Sequence, residues 1–237
     1  MQRTLSHEQV ETFYHDLFVD EQVRHFVELV PPTGGVVVDV GGGCGFFARY
    51  LQHLTRRTVR VIDMDAASVQ ACTQAGVEAT RDDALAPVMR GDEEIACFNL
   101  MLHHLVADSE AQTRTQQMQA LTAWKEQAKA IFVNEYIYES LVSNISGRLI
   151  FAVTKSRLLS AVCGLVAHVV PALRANTFGV GVRFRSHDEW VRLFREAGFR
   201  VEDRRLGKDE RVAPPLRLLL IRTIRRDSFL LRPVLHE

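Results

Sequence analysis

Apolar positions along this chain follow two alternating rhythms. Short unbroken runs, VVVDV at 36–40, VRVID at 59–63, GVEAT at 76–80, EIACFNL at 94–100 and AIFVNEY at 130–136, have the length and continuity of strands covered on both faces. Between them lie GFFARYLQHL, DAASVQACTQAG and EAQTRTQQMQALTAWKEQ, each long enough for a crossover helix. A βαβαβ series of this kind predicts a parallel sheet with helices on both sides. Upstream, Val10, Phe13, Tyr14, Leu17, Phe18, Val23, Phe26, Val27 and Val30 keep helical spacing from Ser6 until Pro31-Pro32, which predicts one or two amphipathic helices.

After Glu139 the rhythm changes. Leu141 to Ala175 reads as helical and contains LLSAVCGLVAHVVPAL, apolar nearly all round, so something must cover it. A lid, a homodimer contact and a membrane-surface element held by Arg148, Lys155 and Arg157 all fit, in that order, with membrane contact spread over 148–173. A spanning helix needs roughly 20 unbroken apolar residues, and His168 and Pro171 interrupt this run. Gly179 and Gly181 then offer a hinge or a tight bend. SHDEWVRLFREAGF starts with a Ser186 cap and Glu189 at capping-box spacing. The last two runs, FRVEDRRL and LRLLLIRTI, have no helix-length segment between them and predict an antiparallel hairpin at one sheet edge.

The predicted architecture is α/β: a Rossmann-like, doubly wound, seven-stranded, mostly parallel sheet with that edge hairpin, an N-terminal helical cover and a helical insertion after the fifth strand. One domain spans 1–237, divided into a cover (1–32), a core (33–139), the insertion (140–182) and the C-terminal part of the sheet (183–237). The 237 residues carry 29 Lys and Arg against 29 Asp and Glu, a balance that argues against nucleic acid as a partner. The Arg-rich stretch RFRSHDEWVRLFREAGFRVEDRR interleaves acids, and reads as a solvated helix face and strand edges. Cys44, Cys72, Cys97 and Cys163 lack CxxC spacing; with no export signal visible at the N-terminus they are expected to be reduced packing residues of a cytoplasmic protein. No compact metal-ligand set stands out.

The candidate chemistry starts at VVVDVGGGCGFFARY. A glycine-rich turn after a buried strand lets backbone N–H groups meet a ligand at the carboxyl end of a parallel sheet. A dinucleotide fingerprint counted from Gly41 and Gly43 puts Phe46 where its third small residue belongs. The carboxylate of Asp39 also suits an ammonium better than a pyrophosphate. What stands there is D-x-G-x-G-x-G: Asp39, Gly41, Gly43, Gly45. In this the chain resembles the class I S-adenosylmethionine-dependent methyltransferases, over about 35–136 and again from about 183 to the end.

The resemblance implies S-adenosylmethionine as cofactor and a small-molecule acceptor. It implies an acid for the ribose hydroxyls among Asp63 and Asp65, with Asp65 the better aligned, and Asp83 followed by Ala84 at the adenine amino group. FNLMLHHL is similar to the family's segment at the transfer centre, bringing Asn99 and Leu100 to the cofactor and His103 and His104 to the acceptor. His103 and His104 are the candidates for a general base, a role the resemblance puts on His103, although position 104 is His where the family's pattern has Asp and both histidines as pocket lining fit as well. FVNEY matches the fifth strand; there Glu135, with Tyr136 and Tyr138, is placed to hydrogen-bond an acceptor or to pair with an arginine. Tyr14 is placed to reach the methionine carboxylate or to pack. His187 is expected to be an exposed helix-start residue, and Trp124 and Trp190 to be core.

Three functions follow from these residues. The leading one is methyl transfer to an O or N atom of a small aromatic or hydrophobic metabolite in secondary or cofactor metabolism. A non-catalytic S-adenosylmethionine binder needs the same cofactor site without an acceptor pocket. A nicotinamide oxidoreductase shares the fold class but needs the missing third small residue. No NPPY or DPPY segment follows the fourth strand, which ranks nucleic-acid and protein methylation low.

Overall fold

The structure is a computed structural model that describes residues 18–32, 34–156, 158–161 and 180–234. Its seven strands form one sheet in the order β3-β2-β1-β4-β5-β7-β6. β1 (Val36–Val40), β2 (Val59–Asp63), β3 (Glu78–Arg81), β4 (Glu93–Asn99) and β5 (Ala130–Ser140) run parallel. β7 (Ile221–Pro233) lies antiparallel between β5 and β6 (Phe199–Arg205). β1 sits between β2 and β4, so the chain winds outward in both directions from it, and a crevice opens there at the strands' carboxyl ends.

Two helical layers cover the sheet. On one face α1 (Val19–Leu29) buries Val19, Val23, Phe26 and Leu29 against α2 (Phe46–Thr55). The Phe26 ring meets Phe47 and Phe132 edge-on at 5.9 and 5.2 Å, each such burial worth about 2 kcal/mol. α3 (Ala66–Gln74) completes this layer through Cys72. The opposite face carries α4 (Glu110–Thr122) and α6 (His187–Glu196), with Trp124, Trp190, Leu193 and Phe194 inside. α5 (Ile145–Lys155) and the short α7 (Pro214–Arg217) sit with a third apolar cluster of Ile150, Val182, Val212, Ile221 and Ile224.

The α/β architecture and the Ser186/Glu189 capping box form as predicted, and both tryptophans are core. Three boundaries differ. β5 continues four residues past Tyr136 because β7 pairs with it up to Ser140. The last strand starts only at Ile221, and the preceding LRLLL forms the end of α7 and a turn, since its leucines lack a partner strand. Within the segment expected to be helical from Leu141, residues 141–144 make a turn with Ser143 and Asn144 at positive φ before α5 begins. Tyr14 and the rest of 1–17, together with Cys163, His168, Pro171 and Gly179, lie outside the described residues.

Candidate active site

The glycine turn is shaped by its neighbours. Gly41, Gly43 and Gly45 all take positive φ, at 66, 54 and 75°, a region that costs other residues about 1–2 kcal/mol. A side chain at 41 meets Met101 Cγ at 2.5 Å and one at 45 meets Cys72 Sγ at 2.9 Å, whereas one at 43 meets nothing within 4 Å. Gly43 therefore faces open space at the head of α2. The turn is anchored by Gly41 N donating to Ile62 O at 2.7 Å and by Cys72 Sγ donating to Gly43 O at 3.0 Å.

Asp39 lies beneath this turn, fully buried. Its Oδ1 accepts from Asn99 Nδ2 at 3.0 Å, while Oδ2 has no partner among the described residues. Burial raises its pKa to about 7; the Asn99 hydrogen bond opposes the rise and the charge of Asp63 adds to it. Asn99 Oδ1 is a second buried acceptor without a partner among the described residues. Leu100, next in the chain, is held at φ 51° with its N–H on Asn134 O at 2.8 Å. A non-glycine residue in this region stores strain, and such strain clusters at functional sites.

The two acids after β2 do different things. Asp63 Oδ2 accepts from Gly43 N at 2.9 Å and Oδ1 from Asp65 N at 2.8 Å, so it is wired to the glycine turn. Burial raises its pKa. Asp65 caps α3, its Oδ2 accepting from both Ser68 N and Ser68 Oγ at 2.8 Å. Asp65 thus serves as a helix cap, and Asp63 is the acid joined to the glycine turn. Asp83 Oδ1 accepts from Leu85 N at 2.9 Å, and Ala84 is buried beside it.

His103 and His104 form a short 3₁₀ turn, Leu102–His104, following β4. His103 Nδ1 lies 2.6 Å from Glu135 Oε2, and Leu102 N donates to Glu135 Oε1 at 2.7 Å. With a carboxylate on one side, Nδ1 carries the proton, which leaves the Nε2 lone pair without a hydrogen bond among the described residues. Glu135 is fully buried. Both its oxygens are engaged on the turn after β4, and it pairs with no arginine among the described residues. The His104 ring stands 4.2 Å from that of His103, and burial with the neighbouring His103 holds its pKa well below the ordinary histidine value.

A wall of rings closes this end. Phe184 lies 4.9 Å from His103 and stacks on Tyr138 at 4.2 Å, with Tyr136 5.7 Å from His103. Residues 183–185 thread between the His103 turn and β5: Arg183 N donates to His103 O at 2.9 Å, and Tyr138 N to Arg185 O at 3.0 Å. Arg183 and Arg185 are themselves buried. Arg183 pairs with Glu110 at 2.7 Å and Glu189 at 3.0 Å, and Arg185 with Glu110 at 2.9 Å and with Gln117 Oε1. Burial lowers the pKa of Arg185 to about 10. Arg183 and Arg185 depart from the reading of the Arg-rich stretch as solvated, which Arg192, Arg195, Arg200 and Arg204 keep. Glu110, which answers both arginines, is 73 and 75 positions away in sequence, so pattern alone does not reveal that pairing.

His187 is a further correction. Its side chain is mostly buried, with Nδ1 2.7 Å from the buried Asp227 Oδ2 and Nε2 accepting from Arg204 at 3.1 Å. Asp227 stands directly opposite Glu135 across the β5/β7 pair, so two buried His–carboxylate pairs sit side by side. The sequence also missed the polar interior under α1. There His25 Nδ1 meets Ser228 Oγ at 2.9 Å, and Asn134 Nδ2 donates to Ser228 Oγ at 2.7 Å.

No protein-family model matches the chain, and no curated protein matches its sequence. Solved structures do match its fold. Magnesium protoporphyrin IX methyltransferase (ChlM) from Synechocystis PCC 6803 with bound SAH superposes with a TM-score of 0.59 at 13% identity, covering 94% of this chain and 92% of that one. The mitomycin 7-O-methyltransferase MmcR gives 0.57 at 14% identity and 92% of this chain. This chain spans 54% of MmcR's length. The [4+2]-cyclase SpnF gives 0.59 at 12%, with 92% and 80% covered. The fold is thus the Rossmann-like one of class I methyltransferases.

Proposed function

We propose that this chain is an S-adenosylmethionine-dependent methyltransferase acting on an O or N atom of a small, aromatic or hydrophobic metabolite. The observation that carries the reading is Asp39 Oδ2: a carboxylate oxygen buried without a partner among the described residues, under a turn whose Gly43 faces open space. A buried acceptor of this kind is costly unless a donor arrives, and the ammonium of an amino-acid group is such a donor. The same crevice offers Asp63 to a ribose diol, Asp83 and Ala84 to an adenine, and Asn99 and Leu100 at the strand junction. Likeness to methyltransferases with this fold supports the assignment.

The bound cofactor supplies a methyl group on a positively charged sulfur. The chain's own residues supply orientation and a place for the acceptor's proton. Tyr136, Tyr138 and Phe184 present flat apolar surface beside His103 and exclude water; alignment of this type is worth roughly 7–11 kcal/mol of barrier. His103 Nε2 takes the proton of a phenol, enol or ring N–H, and Glu135 fixes the tautomer and stabilises the resulting imidazolium. Glu135 is therefore a positioning residue, and His104 lines the pocket.

A second reading is a protein that binds the cofactor without transferring its methyl, which the methyltransferase neighbours do not favour. Incubation with methyl-labelled S-adenosylmethionine and a panel of phenols, enols and ring N–H compounds separates the two. Label in an acceptor is the expected result. Cofactor binding with no transfer to any acceptor favours the second reading, and no cofactor binding overturns both.

A further inference from the structure

The rim above β5 and β7 carries a surface that the crevice does not use. β5 runs parallel to β1 through β4, so its end at Ser140 lies at the same end of the sheet as the glycine turn. Just beyond it Leu141 and Val142 are 59% and 56% exposed. Leu141 N donates to Leu220 O at 2.8 Å, which sets it against the turn leading from α7 into β7. That turn is closed by Leu220 N on Arg217 O at 2.9 Å and held by Leu220 at φ 58°. At its tip Leu218 is 84% exposed, the highest value among the large apolar side chains described. An isolated exposed leucine is ordinary. Three large apolar side chains on two turns joined by a hydrogen bond form a patch, directly above the buried cluster that includes Ile221 and Ile224.

Exposed arginines surround this patch. Arg148, Arg211, Arg217 and Arg222 are exposed, and none of them makes an ion pair among the described residues. The neighbouring arginines do: Arg205 with Glu28, Arg225 with Asp227 and Glu139, Arg226 with Glu21 and Glu210. Asp209, the remaining acid of this edge, accepts from Thr223 and lies 3.9 Å from Arg225. The rim thus presents four exposed guanidinium groups without an ion-pair partner among the described residues. No helix among the described residues is long and apolar enough to cross a membrane, so a contact here lies on the surface. Guanidinium groups pair with lipid phosphates while protruding leucines enter the boundary between headgroups and acyl chains.

We propose that this rim docks the protein on an anionic lipid surface, with Leu141, Val142 and Leu218 entering the boundary and Arg148, Arg211, Arg217 and Arg222 meeting phosphates. The mouth of the crevice then opens toward the bilayer, where an amphiphilic small molecule is concentrated. Docking is independent of the methyl-transfer reading, because its test uses no activity.

The test is co-sedimentation of the full chain with sucrose-loaded vesicles, made either of phosphatidylcholine alone or of an equal mixture with phosphatidylglycerol. The protein is expected to sediment with the anionic vesicles and to stay in solution with the neutral ones. Leu141→Ser with Leu218→Ser, and separately Arg217→Gln with Arg222→Gln, are each expected to lower the partition coefficient on the order of tenfold. Leu54→Ser, at the far end of α2 and also exposed, leaves it unchanged. All these positions are exposed, so thermal midpoints hold and loss of binding is not loss of fold. Sedimentation equal on both vesicle types, or rim variants that bind like the parent, overturns the proposal. So does light scattering that shows a dimer which Leu218→Ser turns into a monomer, with no vesicle binding: the patch then belongs to a second copy of the chain.

Discussion

Asp39 ends inside the sheet beneath the glycine turn with no opposite charge beside it among the described residues, and its pKa of about 7 reflects that burial. Below that pH it is protonated, and a ligand ammonium must displace the proton to bind. Affinity for S-adenosylhomocysteine is therefore expected to weaken as pH falls through about 7 and to level off above it; Asp39→Asn flattens the profile, as titration calorimetry across neutrality reads. The linkage for folding has the matching sign. A carboxyl whose folded pKa lies above its unfolded value of 3.8 favours the fold at low pH and loses that contribution as pH rises through about 7. Asp39→Asn thus raises the thermal midpoint of the ligand-free protein more above neutrality than below it. At the other end of the crevice, His103→Ala is expected to lower kcat by about 10² or more with little change in cofactor Kd, and Glu135→Gln to lower kcat while shifting the pH profile. Unchanged kcat for His103→Ala over several pH values removes the base. Asp39, His103 and the glycines were legible as candidates because each sits in one short motif. The Glu135–His103 contact and the His187–Asp227 pair were not, since each joins side chains 32 or 40 positions apart.

Elements hold these residues in place, and their glycines separate stability from binding. Gly43→Ala forces a Cβ into the left-handed region but into open space, so it is expected to cost only about 1 kcal/mol of stability while abolishing cofactor binding. Gly147→Ala does the opposite. Its Cβ collides with the Phe184 carbonyl oxygen and the Arg183 guanidinium, which pushes α5 off the 183–185 segment at a cost of roughly 1–3 kcal/mol. Arg185→Met leaves Gln117 without its partner and Glu110 with Arg183 alone; differential scanning calorimetry is expected to show a loss of roughly 3 kcal/mol, or on the order of 10 °C in Tm. The strands and crossover helices could be read from periodicity, because continuous apolar runs have few alternatives in a covered sheet. The start of β7 could not: LRLLL is as apolar as a strand, and only the pairing of Ser140 with Ile221 decides where the ladder begins.

At the scale of the whole molecule, the proposed function places two neighbouring workplaces on one sheet: a crevice at the β1/β4 junction for a nucleoside bearing an amino-acid group, and an aromatic wall over β5 for its acceptor. Local pattern announced the first, since a carboxylate-tipped strand and a glycine turn are contiguous. The second is assembled from β4, β5 and the 183–185 return, held by buried arginines that charge counting placed at the surface. The most direct test of the account is titration calorimetry of the full chain with S-adenosylhomocysteine, beside Gly43→Ala and Asp63→Ala. One ligand per chain with the parent, and none with the variants at equal folded content, is the predicted result. A folded parent that takes up no S-adenosylhomocysteine, or variants that bind it as tightly as the parent, contradicts it.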